Sequence, residues 1–410
     1  MAIPTTLALN GSWPMNVEDA INIEDLRRSG RRSLPRIVFD FIEGGCEDET
    51  CLERNLASFR RHGLRPRYLT GAEPDQSVRL FAKTYASPFG IAPTGLAALY
   101  RPGGDLTLAS AAVAADIPFI QSGASTASIE AIAKAARGHA WYQLYQPANP
   151  AVADDLVRRA RDSGVETLVL TVDAQGGSNQ ERNLRNGFAQ PLKMRPSTVL
   201  EALRHPAWIA RYLRHGMPVF EDWRPYAGGD AASAATIARF VAAQGRASQS
   251  WHDVERLRRL WPGSFVLKGL LHPDDAARAV ELGVDGVIIS NHGGRKLDRA
   301  PAPIDVLPGF VDRVGDRLTL MIDGGIRRGA DIVTALCLGA RFCFVGRAPL
   351  YGLAAGGRPG VDRALALLQR EIDLILRQIG CGTIAELSPD HLWPHPPLPA
   401  HYSNAQAATS

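Results

Sequence analysis

The 410-residue sequence predicts an α/β fold, a (β/α)₈ barrel preceded by a helical segment and carrying a long insertion after the fourth strand. Eight short apolar runs alternate with longer amphipathic segments, and each run ends in polar residues or glycine. The runs are too short for helices, and several are rich in β-branched and aromatic residues, which favours strands. The predicted strands are 89–93, 118–122, 141–145, 168–173, 265–268, 286–290, 318–323 and 342–346. An open doubly wound sheet stays the alternative, because periodicity cannot show closure.

The flanking and inserted segments complete the predicted domain organisation. Residues 1–22 read as a loose N-terminal extension, and 23–43 as helices broken at Leu34-Pro35. The domain spans 23–395, followed by a tail at 396–410. Between the fourth and fifth strands, residues 189–250 form the insertion, of which 227–247 is rich in Gly, Ala and Ser and is expected to be a loop.

Residues 190–220 of the insertion combine basic and apolar side chains. The segment contains five basic residues and a single acidic one, Glu201, and its basic residues alternate with apolar ones such as Trp208 and Leu213. The basic residues are Lys193, Arg195, Arg204, Arg211 and Arg214. One interpretation is a surface helix that acts as a lid over the barrel mouth. The other is a segment that binds a membrane surface or a partner, because cations around apolar side chains suit an anionic interface.

Composition excludes several classes of protein. A formal charge of +4 on a chain of this length argues against bulk affinity for nucleic acid. The five cysteines are odd in number and contain no CxxC pair, so neither a disulfide framework nor a metal site is expected. Residues 1–16 lack the pattern of a signal peptide, and no apolar run approaches the ~20 residues that span a bilayer. These features predict a cytoplasmic protein.

Two strand ends resemble a phosphate-binding cradle. Asp323-Gly324-Gly325-Ile326-Arg327-Arg328-Gly329 follows the seventh strand, and Gly346-Arg347 follows the eighth. Glycines let backbone N–H groups approach an anion at a helix N-terminus, and an arginine adds a charged donor. The strands in seventh and eighth place are where phosphates usually bind in this fold.

The strand ends also carry candidate catalytic residues. His292, between Asn291 and two glycines, is a candidate general base because imidazole titrates near neutrality. Asp173 could orient it and stabilise its protonated form. Arg295 can bind a carboxylate with a bidentate fork. Lys268 ends an apolar run, where an unpaired ammonium would be unfavourable, so an anionic partner is expected.

Residues 290–298, reading SNHGGRKLD, closely resemble the signature of the FMN-dependent 2-hydroxy acid oxidases and dehydrogenases. The resemblance extends from residue 23 to about residue 392 and is strongest to members that oxidise mandelate. It implies an FMN cofactor, a small-molecule substrate, a quinone or O₂ as electron acceptor, and a homotetramer. It also implies peripheral association with the inner face of the cytoplasmic membrane. The implied FMN contacts are Pro93, Thr94, Gly95, Ser122, Gln143, Thr171, Lys268 and Ser290, with Asp323, Gly325, Arg327, Gly346 and Arg347 around the phosphate side.

The resemblance also implies roles at the substrate. Lys268 would stabilise the anionic reduced flavin, and His292, backed by Asp173, would remove a proton from the substrate. Tyr145 would bond the hydroxyl or developing oxyanion, and Arg295 the carboxylate. The electrons could leave as a hydride or through a carbanion, and both remain open.

Three substrate-binding positions depart from the family's pattern. The family usually has a tyrosine where Phe41 stands and an arginine where Gln180 stands, and glycolate oxidase has a tryptophan where Ala124 stands. Without the tyrosine hydroxyl and the arginine, carboxylate binding is expected to be weaker, and without the tryptophan the pocket is expected to be wider. The predicted substrate is therefore a bulky or aromatic, mandelate-like (S)-2-hydroxy acid. The alternative is an FMN oxidase whose substrate lacks a free carboxylate, such as an ester, amine or modified peptide. A catalytically inactive scaffold would need a damaged base or cofactor site, and the sequence shows neither.

Overall fold

A computed structural model describes residues 16–188, 196–244 and 249–393. Its strands are β1 (Gly63–Leu64), β2 (Val78–Leu80), β3 (Lys83–Tyr85), β4 (Phe89–Ile91), β5 (Phe119–Gln121), β6 (Ala140–Leu144), β7 (Thr167–Thr171), β8 (Ser264–Leu270), β9 (Gly286–Ile289), β10 (Thr319–Asp323), β11 (Phe342–Val345) and β12 (Leu392–Trp393). Its α-helices are α1 (Ile23–Ser33), α2 (Arg36–Glu43), α3 (Thr50–Arg60), α4 (Ala97–Tyr100), α5 (Gly104–Ala114), α6 (Ile129–Ala135), α7 (Pro150–Asp162), α8 (Glu181–Arg185), α9 (Pro196–Ala202), α10 (Pro206–His215), α11 (Ala234–Gln244), α12 (Trp251–Leu260), α13 (Pro273–Glu281), α14 (Pro303–Val314), α15 (Gly329–Cys337), α16 (Arg347–Gly356) and α17 (Arg358–Ile379).

The eight strands β4 to β11 form a closed parallel barrel in sequence order, with β11 pairing back onto β4. The predicted barrel is therefore confirmed, and the open-sheet alternative is wrong. Each barrel strand coincides with one of the predicted runs, and nearly all of their residues are buried on both faces, as expected for strands surrounded by helices.

The hairpin β2–β3 closes the N-terminal end of the barrel. Phe81 in its turn packs against Trp141 of β6, with the ring centroids 5.7 Å apart. A Cβ on Gly286, at the start of β9, would come 3.1 Å from the Phe81 ring. The substrate-accessible end of the barrel is therefore the other one, where the strands terminate.

The described part of the N-terminal extension is not loose. Val17–Asp19 form one turn of 3₁₀ helix, and Ala20 is fully buried, with its carbonyl accepting a hydrogen bond from Arg363 of α17 at 2.8 Å. Residues 1–15 and the tail at 396–410 lie outside the described residues. The helical segment 23–43 is confirmed as α1 and α2, which meet at Leu34-Pro35.

The insertion between β7 and α12 covers the carboxyl ends of β4 and β5. Trp208 of α10 donates to the carbonyl of Leu99 at 3.0 Å, and Trp223 donates to that of Gly123 at 2.9 Å. The prediction of a loop at 227–247 is wrong for Ala234–Gln244, which form the helix α11. Alanine-rich composition favours helix there, and Ile237 supplies a fully buried anchor. Residues 189–195 and 245–248, including Lys193 and Arg195, lie outside the described residues.

Candidate active site

A cavity of about 430 Å³ opens at the carboxyl ends of the strands, within the size range of small-molecule sites. All eight barrel strands or the residues that follow them contribute to its wall. The predicted site residues in the wall are Phe41, Pro93, Thr94, Gly95, Ser122, Ala124, Tyr145, Thr171, Gln180, Lys268, His292, Arg295, Asp323, Gly325, Arg327, Gly346 and Arg347. The other three predicted residues, Gln143, Asp173 and Ser290, lie behind the wall and hydrogen-bond to groups in or next to it.

Tyr145, His292 and Asp173 form a hydrogen-bonded chain. His292 Nδ1 lies 3.0 Å from Asp173 Oδ1, and His292 Nε2 lies 3.3 Å from the Tyr145 hydroxyl. Because an ionised carboxylate only accepts, the proton of the neutral imidazole is on Nδ1, and Nε2 presents its lone pair to the cavity. This is the arrangement that a general base requires.

Unusual backbone conformations hold this chain in place. His292 has φ +58°, a left-handed conformation that costs energy in a residue other than glycine, and its N–H donates to Ser290 Oγ at 3.0 Å. Gly269 has φ +110°, and a Cβ there would lie 2.5 Å from Cγ of Asp173. A glycine at 269 is therefore needed for the carboxylate of Asp173 to reach the imidazole.

Electrostatics favour an imidazole that is neutral before reaction. Burial lowers the pKa of His292 below its usual value, and the cations Lys268 and Lys296 lower it further, against an opposing effect of Asp173. Burial alone would raise the pKa of Asp173, but the imidazole and the two lysines together hold it below its usual value. At neutral pH the pair is therefore neutral imidazole and carboxylate.

Lys268 has a protein partner that the sequence argument did not identify. Its ammonium lies 3.0 Å from Asp323 Oδ2 and donates to Ser290 Oγ at 2.9 Å, with only 4% of the side chain exposed. The expected anionic partner therefore includes a carboxylate, and Asp323, predicted at the phosphate end, belongs to this pair. Burial lowers the pKa of Lys268, but Asp323 and Asp173 more than offset this and raise it, so the ammonium stays charged.

Polar groups in and behind the wall fit the FMN that the sequence resemblance implies. Gln143 Nε2 and Thr171 Oγ1 are buried and have no hydrogen-bond partner among the described residues, which is unfavourable unless a polar ligand satisfies them. At the other end, Gly325 has φ +89°, and a Cβ there would come 2.3 Å from the Asn55 carbonyl oxygen. A glycine is therefore required for this turn to pack against α3, and the turn itself, residues 323–327, lines the cavity.

The two arginines of the predicted cradle differ in how they are held. Arg347 donates to the carbonyls of Ile42, Gly44 and Gly293 at 2.9 to 3.0 Å, and burial lowers its pKa to about 10. Its guanidinium thus fastens α2 to the His292 loop while lining the cavity. Arg327 lies over the ring of Tyr351, with Cζ 5.8 Å from the centroid.

Arg295, predicted to bind the substrate carboxylate, is itself held by three hydrogen bonds within the protein. Its Nη1 donates to the carbonyls of Phe41 and Gly44, both at 2.8 Å, and its Nη2 lies 3.3 Å from Gln180 Oε1. These bonds use three of the five guanidinium donors. The ring of Phe41 lies beneath the guanidinium at 5.0 Å and stacks on Phe188, with centroids 4.5 Å apart.

Sequence reasoning missed several residues of the wall: Tyr100, Phe188, Phe220 and Lys296. Phe188 and Phe220 lie in the segment between β7 and α12, and no local pattern shows that this segment folds back over the cavity. Lys296 could have been found, because it lies within the SNHGGRKLD segment and is one of only five lysines in the chain.

Known proteins resemble this chain over nearly its whole length. A family model described as FMN-dependent dehydrogenase matches residues 30–394. (S)-Mandelate dehydrogenase of Pseudomonas putida is 41% identical over 376 residues, 92% of this chain and 94% of that protein. A putative L-lactate dehydrogenase of Mycobacterium tuberculosis is 38% identical, over 91% of this chain and 89% of that protein. A crystal structure of the monotopic membrane protein (S)-mandelate dehydrogenase superposes with a TM-score of 0.88 at 41% identity, covering 92% of this chain and 100% of that one.

Proposed function

The chain belongs to the family of FMN-dependent dehydrogenases, and we propose that it oxidises a bulky or aromatic (S)-2-hydroxy acid, such as mandelate, to the 2-oxo acid. The observation that carries the proposal is the Tyr145–His292–Asp173 chain, whose basic nitrogen faces the same cavity as the buried ammonium of Lys268. A neutral base and a fixed cation in one cavity suit the removal of a proton together with an electron pair.

Each residue would have a distinct role. His292 Nε2 takes a proton from the substrate, and Asp173 stabilises the imidazolium that results. Tyr145 bonds the substrate oxygen, and the free donors of Arg295 bind the carboxylate. FMN, when bound, would supply the two-electron acceptor. Gln143, Thr171 and Ser290 would hold it with the backbone of residues 93–95, and the ammonium of Lys268 would stabilise negative charge on it.

The cavity wall supports an aromatic substrate. Ala124 leaves space where a larger residue would narrow the cavity, and the stacked rings of Phe41 and Phe188 offer an apolar surface beside Arg295. Aromatic rings prefer such offset or stacked neighbours. Relatives named for mandelate support the same choice.

A substrate panel tests the proposal. Purified protein would be assayed with (S)-mandelate, (R)-mandelate, (S)-lactate, methyl (S)-mandelate and benzylamine, and the product identified by mass spectrometry. We expect (S)-mandelate to be converted to the 2-oxo acid faster than (S)-lactate, with no turnover of the amine. Turnover of the amine without that of any hydroxy acid would contradict the proposal.

A second candidate is an FMN oxidase of a substrate without a free carboxylate. Arg295 already has three protein acceptors, and its neighbours Phe41 and Gln180 are both uncharged. A variant of a mandelate oxidase, itself 32% identical to this chain with a TM-score of 0.76, has been crystallised with 2-hydroxy-phenylacetamide, an amide. Faster turnover of the methyl ester than of the free acid would favour this candidate.

We further propose that the protein lies peripherally on the cytoplasmic face of the membrane. It would act there as a homotetramer that passes electrons to a quinone or O₂. None of the described helices is long and apolar enough to cross a bilayer. On α10, Leu213 is 77% exposed next to Arg214, which suits an anionic membrane surface. In sedimentation with anionic vesicles, Leu213→Glu should reduce binding, whereas Leu374→Glu, an exposed leucine of α17, should not. Equal binding by both variants would contradict the membrane proposal.

A further inference from the structure

A second cavity, of about 250 Å³, lies between α10 and the residues after β4. Its wall includes Tyr100, Trp208, Arg211, Tyr212 and Met217. Tyr100 also lines the active-site cavity, so the two cavities share one side chain as a common wall. At this wall a ligand in the second cavity would be separated from the active-site cavity by the side chain of Tyr100.

The wall includes the polar side chains of Thr126, Arg211, His215 and Glu221, and among these Arg211 has a buried atom without a hydrogen-bond partner. This atom is Nε, and within the described parts of the chain the side chain of Arg211 makes neither a hydrogen bond nor an ion pair. Burial lowers the pKa of Arg211, and burial together with the charge of Arg211 lowers the pKa of the neighbouring Arg101. A buried donor is unfavourable without an acceptor, so this site favours a ligand with an acceptor oxygen.

Two neighbouring features point to a neutral, flat ligand. Glu221, whose carboxylate pairs with Arg224, also lines the cavity and would repel a phosphate. The rings of Trp208 and Tyr212 are stacked 5.1 Å apart and offer aromatic surface, which a planar ring can contact.

We propose that this cavity binds the head group of a quinone, with a quinone carbonyl accepting from Arg211, as the site where the electrons leave the enzyme. The proposal rests on the proposed function, which supplies the electrons. In each turnover the hydroxy acid loses two electrons and two protons in becoming the 2-oxo acid. The quinone gains two electrons and two protons in becoming the quinol, and the flavin carries the electrons between them.

The test separates the two halves of the reaction in the FMN-loaded protein. Arg211→Met removes the proposed donor, and Arg239→Met removes an equal charge from an exposed position on α11. Each protein is reduced anaerobically with (S)-mandelate and then mixed with a ubiquinone bearing one isoprene unit. We expect reoxidation to slow at least about tenfold in Arg211→Met, as for loss of a hydrogen bond from a charged donor, and to stay at the wild-type rate in Arg239→Met.

Binding is measured separately, by quenching of tryptophan fluorescence with the same quinone, because Trp208 lines the cavity. Arg211→Met should weaken this quenching, while bleaching of the flavin by (S)-mandelate should be the same in all three proteins. Unchanged reoxidation and quenching in Arg211→Met would overturn the proposal. The proposal would also be overturned if Arg211→Met kept the wild-type reoxidation rate and quenching but no longer bound anionic vesicles, because the cavity would then hold a lipid head group. If (S)-mandelate does not bleach the flavin, the proposed function has failed, and reduction with dithionite still allows the quinone site to be tested.

Discussion

Replacing Asp173 by asparagine tests the role of the buried pair. The new side chain would keep the size of the old one and an acceptor near His292 Nδ1, at present 3.0 Å from the carboxylate, but would lose the charge. The imidazolium formed in the reaction would then be buried beside Lys268 and Lys296 without its counter-ion. Removing one partner of a buried ion pair costs about 3–5 kcal/mol. At 1.36 kcal/mol per factor of ten, flavin reduction should slow by roughly two to nearly four orders of magnitude.

The assay is anaerobic stopped-flow at saturating (S)-mandelate, following the loss of visible flavin absorbance. Asp285→Asn is the matched control, because Asp285 forms an ion pair with Arg258 at the opposite end of the barrel. FMN content and the free energy of unfolding, measured with urea, show whether each variant is folded and loaded. A rate for Asp173→Asn within about tenfold of wild type would limit the effect to about 1.4 kcal/mol and refute the assigned role of the carboxylate.

Three further predictions concern the cations of the site. Lys296→Met removes a charge that lowers the pKa of His292, so the acid limb of the pH profile of flavin reduction should move to higher pH, whereas the exposed Lys134→Met should leave it unchanged. Arg295→Met should weaken the apparent affinity for (S)-mandelate by about 1.5–3 kcal/mol and affect its methyl ester less, and equal losses for both would contradict a carboxylate role. Lys268→Met leaves a buried carboxylate unpaired, so urea unfolding should show a loss of about 3–5 kcal/mol, and a stability equal to wild type would contradict the ion pair.

The barrel was predictable because its strands are short, apolar and bounded by polar residues. The predicted run 342–346 corresponds to β11 at Phe342–Val345, and 286–290 to β9 at Gly286–Ile289. Glycines and polar residues at the strand ends then placed His292, Arg295 and the cradle on one face without any knowledge of contacts. Closure was not predictable, since it depends on the pairing of β11 with β4, far apart in sequence.

The parts that the sequence could not supply depend on contacts between distant segments. Lys268 lies on β8 and its partner Asp323 on β10, and no local pattern indicates which carboxylate meets the ammonium. The insertion brings Phe188 and Phe220 into the active-site wall, and Arg211 into the second cavity, by folding back over the barrel. For α11, small residues suggested a loop although alanine favours a helix.

The most direct test of the account is the absorbance spectrum of the purified protein during anaerobic addition of (S)-mandelate. We expect a flavin spectrum that (S)-mandelate bleaches, with formation of one 2-oxo acid per flavin, and that (R)-mandelate leaves unchanged. A flavin spectrum that no 2-hydroxy acid bleaches would contradict the proposed chemistry of His292 and Arg295.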